Sequence, residues 1–261
     1  MLPARFVPTR RAPRRNTWKD VSRLYTSSDS SVEETRQHLR ELLRETAQSV
    51  AVVTSLLPTA ESNNPQHPHS PTPRPAYHGA TLSSFTSIAL DPLPLVAFSL
   101  RVPSRMASAL RTRADKYKAL TAAHLVINVL SAIQPHLAER FARPDLYSRP
   151  FEDSEVHWTP SEDGLPIISG ALGALSCSLV GPPLPLTDLR WMGKKPMSDG
   201  NVEAQELAGG GGLASELFIA RVLRIERVPP PESDGNDDGL RTLPLLYHRR
   251  QYATVCDLEK P

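Results

Sequence analysis

Nine residues, Gly79 to Ser87 (Gly-Ala-Thr-Leu-Ser-Ser-Phe-Thr-Ser), carry five hydroxyl side chains in a segment that otherwise alternates like a β-strand. Hydroxyls turned inward cost free energy unless each finds a hydrogen-bond partner. A polar ligand rich in acceptors would provide those partners. A Ser/Thr-rich edge strand facing water would meet the same need, and residue types alone leave both readings open.

Other candidates for chemistry are weaker. His67 and His69 stand in a run of Pro, Ser and Asn with no Cys or carboxylate at metal-ligand spacing, so they read as solvated loop. Pro68-His-Ser-Pro71 matches a minimal PxxP ligand but is too short to carry recognition. The tract Gly209–Gly212 lacks the Lys-Ser/Thr of a phosphate loop and the Gly-x-Gly-x-x-Gly spacing, and reads as a linker. Cys177 and Cys256 form neither a metal-ligand spacing nor a disulfide framework. Cys177 lies in the apolar run Ala171–Val180 and reads as a small buried hydrophobe. No metal site is expected, and no catalytic triad, Cys-His pair or carboxylate pair is visible.

The elements that must position these residues follow from periodicity. A helix is expected from about Val32 to Ser49, with Ser31 and Glu34 as a capping box and apolar residues at helical spacing. The β-branched run from Val50 to Thr54 reads as a buried strand. Further strands are expected over Gly79–Ser87, Leu95–Arg101, His124–Leu130, Ala171–Val180, Glu216–Val228, Leu243–Tyr247 and Tyr252–Val255. Two helices interrupt them, Ser104–Ala114 with Ser104 as N-cap, and Gln134–Ala142. Many short strands with few helices predict a mainly β barrel or sandwich with peripheral helices. The Pro- and Gly-rich stretches near 58–76, 182–212 and 229–240 read as insertions between strands. They account for much of an abundant proline content, 26 residues, which helix interiors and central strands exclude.

Charge divides the chain. From Met1 to Ser28 there are seven basic residues and one acid, a surplus of six against +2 for the whole chain, which leaves the remainder at −4. An acidic body argues against nucleic-acid binding. The Arg-rich, acid-poor start over 1–28 reads as a mitochondrial transit peptide (matrix), or else as a disordered basic tail on a cytoplasmic protein. No run of about 18 apolar residues offers a membrane-spanning helix.

The run from Gly79 to Pro92, Gly-Ala-Thr-Leu-Ser-Ser-Phe-Thr-Ser-Ile-Ala-Leu-Asp-Pro, resembles the signature of the flavin reductase-like family, the FMN-binding split barrels. Val50-Ala-Val-Val-Thr54, Pro94-Leu-Val-Ala-Phe-Ser-Leu100, Val126-Ile-Asn-Val-Leu130, Phe141-Ala142, Gly164-Leu-Pro166 and Leu245-Leu-Tyr247 are similar to further family segments in the same order. The resemblance covers residues 32–256 apart from the insertions. It implies a split β-barrel, usually a homodimer, binding FMN (or FAD) near the subunit interface and reduced by NAD(P)H. It further implies an oxygenase partner that receives the reduced flavin. Carried over, Thr81, Ser83 and Ser84 would contact the isoalloxazine edge or the ribityl–phosphate chain. Ser99, Arg101 and Ser104 would serve phosphate or ribityl groups, with Arg101 or Arg105 giving positive charge and the Ser104 helix start giving N–H donors. Asn128 and Phe141 would lie near the flavin.

One departure stands out. Where the family commonly has Gly-Asp-His before a strand, this chain has Ala214-Ser215-Glu216. The usual histidine is missing, and Glu216 would repel a dinucleotide phosphate. His78, His124 and His248 are the histidines within reach of the other motifs. The competing reading is therefore a non-catalytic flavin-binding or interaction protein on the same barrel. Pyridoxal phosphate, haem and deazaflavin are the ligands of related split barrels.

Overall fold

A computed structural model describes residues 32–57, 76–116, 121–186, 214–230 and 239–256. The basic segment 1–28, Ser31 of the expected capping box, His67, His69, the Gly209–Gly212 tract and most of the three insertions lie outside the described residues. Helix α1 (Val32–Arg44) belongs to one compact unit, and everything from Thr46 onward forms a second.

In α1, Gln37 and Glu41 bond one turn apart (3.1 Å). The helix ends at Arg44 rather than Ser49, because Gln48–Ser49 forms a short strand, β1, paired with Tyr247 and Leu246. Backbone pairing outcompetes the helical spacing there.

The second unit is built on a curled antiparallel sheet. Its strands are β2 (Ala51–Leu56), β3 (Tyr77–Leu82), β4 (Thr86–Ala89), β5 (Leu95–Val102), β6 (Leu125–Val129), β9 (Gly173–Leu179), β10 (Leu184–Pro185) and β11 (Ala214–Glu226). The order is β3-β2-β6-β9-β11-β5-β4, with β10 also on β11. A hairpin of β7 (Trp158–Pro160) and β8 (Pro166–Ile168) and a small sheet joining β1 to β12 (Leu246–His248) and β13 (Gln251–Ala253) flank it. Helices α2 (Arg105–Lys116) and α3 (Pro135–Ala142) complete the unit.

The expected single strand over Gly79–Ser87 is in fact two strands. Tyr77–Leu82 ends, Ser83–Phe85 bends, and Thr86–Ala89 begins again against β5. These two strands are the opposite edges of the sheet. The bend thus carries the chain from one edge to the other, and the sheet curls on itself as a split barrel.

Burial explains the apolar runs. In β2, Ala51 and Val53 face the barrel interior, while Val52, with Val50 just before the strand, faces a second core under α3. The interior contains Leu82, Phe98, Leu100, Met106, Leu110, Ile127, Cys177 and Phe218, and α2 closes it. Phe98 and Phe218 are cross-strand partners stacked at 5.4 Å. Cys177 is the buried hydrophobe the sequence suggests, its thiol pushed up to about 12 by burial.

Candidate functional site

The bend and the adjoining strand bring part of the sequence-derived set together. Ser84 Oγ accepts from the Ser99 N–H (2.9 Å) and the Ser99 hydroxyl (3.0 Å), and donates to the Ser99 carbonyl (3.3 Å). One serine side chain therefore occupies the ladder position that a neighbouring strand would fill. Ser83 is exposed in the same bend. Arg101, two residues beyond Ser99 and on the same face of β5, is exposed with no ion pair among the described residues.

Ser104 sits at the start of α2 and caps it. Its Oγ accepts from the Ala107 N–H (3.1 Å), and its carbonyl accepts from the Ser108 N–H (3.1 Å). Ser104, Ser108 and Ala109 line an open cleft of about 480 Å³ with Leu57, Pro103 and Arg105. That volume falls in the range of small-molecule sites. Arg105 donates to the Ser148 carbonyl (3.1 Å), which fixes the guanidinium beside the cleft.

The remaining residues take internal roles. Thr81 Oγ1 donates to the Ala138 carbonyl (2.6 Å) and ties β3 to α3. Asn128 has no exposed surface. Its amide donates to the Val52 carbonyl and Thr54 Oγ1 (both 3.3 Å) of β2 and accepts from the Ile168 N–H (2.8 Å) of β8, so it ties the main sheet to the flanking hairpin. Phe141 is buried against Gly79 and Phe151. Among the described residues, the side chains of Asn128 and Phe141 are held by hydrogen bonding and packing.

Glu216 does not stand as a free negative charge. Arg111 of α2 pairs with it, and that charge neutralisation removes the repulsion expected from sequence. No local signal announces this pair, because its members are 105 residues apart. Among the histidines, His124 is buried and accepts the Leu179 N–H through Nδ1 (3.0 Å), a sheet-organising role. His78 is buried in β3, and desolvation together with the nearby Arg105 guanidinium lowers its pKa to about 4, so it is neutral at physiological pH. His248 is at the end of β12.

Ser83 and Ser84 in the bend and Arg101 on β5 are exposed donors, Arg101 without an ion pair among the described residues, and the capped start of α2 lines the cleft. Such a set suits a ligand with a phosphate and several ring or sugar acceptors.

An NADH:FMN oxidoreductase of Rhodococcus erythropolis is 36% identical over 174 residues, 67% of this chain and 66% of that protein. An FMN reductase (NADH) of Agrobacterium fabrum is 37% identical over 100 residues, 38% of this chain and 48% of that protein. The chain spans about half the length of several curated relatives it matches. Among solved structures, the flavin reductase of a styrene monooxygenase from Pseudomonas putida has a TM-score of 0.51 at 22% identity, covering 85% of this chain and 99% of that one. A NADH:FAD oxidoreductase from Streptomyces globisporus, solved with NAD and FAD fragments, has a TM-score of 0.51 at 20% identity, covering 88% and 98%. These two likenesses establish the fold. The flavin reductase like domain matches residues 43–255, nearly all of the barrel unit just described, and the chain belongs to that family.

Proposed function

We propose that this chain is an NAD(P)H-dependent flavin oxidoreductase that binds FMN, with FAD as a possible substitute. The observation that carries the reading is the Ser84–Ser99 contact at the split-barrel corner, two residues from the exposed Arg101 and five from the capped start of α2. Ser83, Ser84 and Ser99 would hold ring or ribityl acceptors, and Arg101 with the α2 N-terminus would hold the phosphate. Thr81 supports the corner through α3. The flavin supplies the hydride-accepting ring; the protein's part is to stack, orient and exclude water, which needs no acid–base dyad.

The relatives named above as NADH:FMN oxidoreductases support this reading. We also propose a homodimer, supported by the exposed apolar residues Ile88, Leu90 and Leu93 on and beside the edge strand β4. Delivery of reduced flavin to an oxygenase partner fits the styrene monooxygenase reductase neighbour. A mitochondrial address for the basic segment 1–28 completes the proposal. A second reading, flavin binding without turnover, is favoured by Glu216 at the position of the family's usual histidine.

The test is direct. The purified full chain, supplied with FMN and then NADH or NADPH, is expected to bind flavin and consume the nicotinamide. Flavin binding with no consumption of either nicotinamide selects the second reading. No quenching of FMN fluorescence overturns both.

A further inference from the structure

On β9, Cys177 and Leu179 face the barrel interior, so Ser176 and Ser178 face outward. Each stands opposite an arginine of β11: Ser176 opposite Arg224 and Ser178 opposite Arg221, with an irregularity between Val222 and Arg224 keeping both arginines in register. The two pairs are chemically equivalent but differently satisfied. In the first, a single carboxylate oxygen, Glu226 Oε1, accepts from Ser176 Oγ and from Arg224 Nε (3.3 Å). Arg224 also pairs with Asp163 and with Glu162 (3.3 Å). In the second, the corresponding two atoms, Ser178 Oγ and Arg221 Nε, are buried and have no hydrogen-bond partner among the described residues. Ser178 has no exposed surface, and Arg221 has no carboxylate partner among the described residues.

Buried donors left unmade are expensive, and an arginine is satisfied best by a carboxylate. We propose that Ser178 and Arg221 form a carboxylate-binding site, in which one oxygen of an incoming carboxylate bridges Ser178 Oγ and Arg221 Nε as Glu226 Oε1 bridges the neighbouring pair. The site is distinct from the flavin cradle. Arg221 is opposite Leu95, whereas Leu217 is opposite Ser99, so the two lie four residues apart along β11, roughly 13 Å. The chemistry proposed is a carboxylate oxygen, and its two sources to be distinguished are a small free carboxylate and an Asp or Glu side chain of a second copy of this chain.

The probe is acetate. Thermal unfolding of the full chain without flavin is compared in sodium acetate and sodium chloride at equal pH and ionic strength, with sedimentation in both buffers. For a free carboxylate, acetate is expected to raise the wild-type Tm saturably, by roughly 3 °C or more, with no change in assembly. Ser178→Ala and Arg221→Lys, which lacks the Nε donor, are each expected to lose at least half of that rise. For a carboxylate from a second copy, acetate is expected to shift the wild type toward monomer, and Arg221→Met to do so in chloride. Equal Tm and equal assembly in both salts overturn the proposal, as does an acetate response of the same size in wild type and Ser178→Ala. Ser178→Ala removes one buried oxygen and carries the test alone if the arginine variants do not fold.

Discussion

Arg111 and Glu216 show how a charged residue that looks like an obstacle becomes part of the frame. The Glu216 side chain is 13% exposed and that of Arg111 42% exposed, so the two ends of the pair are not equivalent. Removing the arginine strands a mostly buried carboxylate, one oxygen of which already has no hydrogen-bond partner among the described residues. Arg111→Met is therefore expected to cost about 2 kcal/mol, and Glu216→Gln less than half of that, as read by urea unfolding. Equal costs would show that the pair behaves as an ordinary surface contact. His78 gives a second residue-scale expectation. Its folded-state pKa of about 4 lies below the ordinary 6.5, so the unfolded chain takes up the proton first as pH falls. The stability from keeping His78 neutral is whole above pH 6.5 and is lost between 6.5 and 4, roughly 3 kcal/mol in all. Burial lowers the His124 and His136 pKa values in the same direction, so His78→Gln is expected to flatten the Tm-against-pH curve in that window without abolishing its slope. A curve of unchanged steepness in the variant would remove His78 from the account. Residue type made Ser104 legible as a helix cap, whereas Ser84, Ser99 and Arg101 were singled out by the family resemblance. The bonds of Asn128 were not legible, because its partners Val52 and Ile168 are 76 and 40 residues away.

At the scale of elements, strand runs and caps were readable because they depend on neighbours in the chain. The β2 run, the Ser104 cap and the α3 face appear where side-chain periodicity puts them. Breaks were not readable where distant backbone decides them. The Gly79–Ser87 run divides because β4 pairs with β5, and α1 stops because Gln48 pairs with Tyr247. The β3–α3 contact is close enough to test. A Cβ on Gly79 would stand 2.6 Å from two ring atoms of Phe141, a side chain held in the core. Gly79→Ala is expected to cost about 1–3 kcal/mol, and Phe141→Leu in the same chain to recover part of it, measured as a double-mutant cycle. The β12–β13 hairpin has the opposite character. Its turn residues Arg249 and Arg250 both have positive φ, 50° and 64°, which Asn-Gly adopts at less cost. Arg249→Asn with Arg250→Gly is expected to raise stability by about 1 kcal/mol, less whatever the Arg249 contacts contribute, and a fall in Tm would contradict this.

For the whole molecule, the short strands and two helices predicted a mainly β barrel or sandwich, the family resemblance implied the split barrel, and the curled sheet has that form. The topology that closes it was not legible, since strand order depends on pairings far apart in sequence, such as β5 with β11. Closure leaves β4 as an edge with Ile88, Leu90 and Leu93 exposed beside it. If a second copy covers that edge, Ile88→Lys with Leu93→Lys is expected to yield a monomer in sedimentation at unchanged far-ultraviolet circular dichroism. A dimer that persists in the double variant would place the interface elsewhere.

The corner at Ser84 is tied to β5 by side-chain chemistry instead of a full ladder. The Ser84 hydroxyl has one proton, given to the Ser99 carbonyl, so it can turn to an incoming acceptor only by releasing that carbonyl, while a lone pair still holds the Ser99 amide. The Ser99 amide proton should then stay protected from solvent exchange once the cradle is filled, and faster exchange on flavin binding would contradict this.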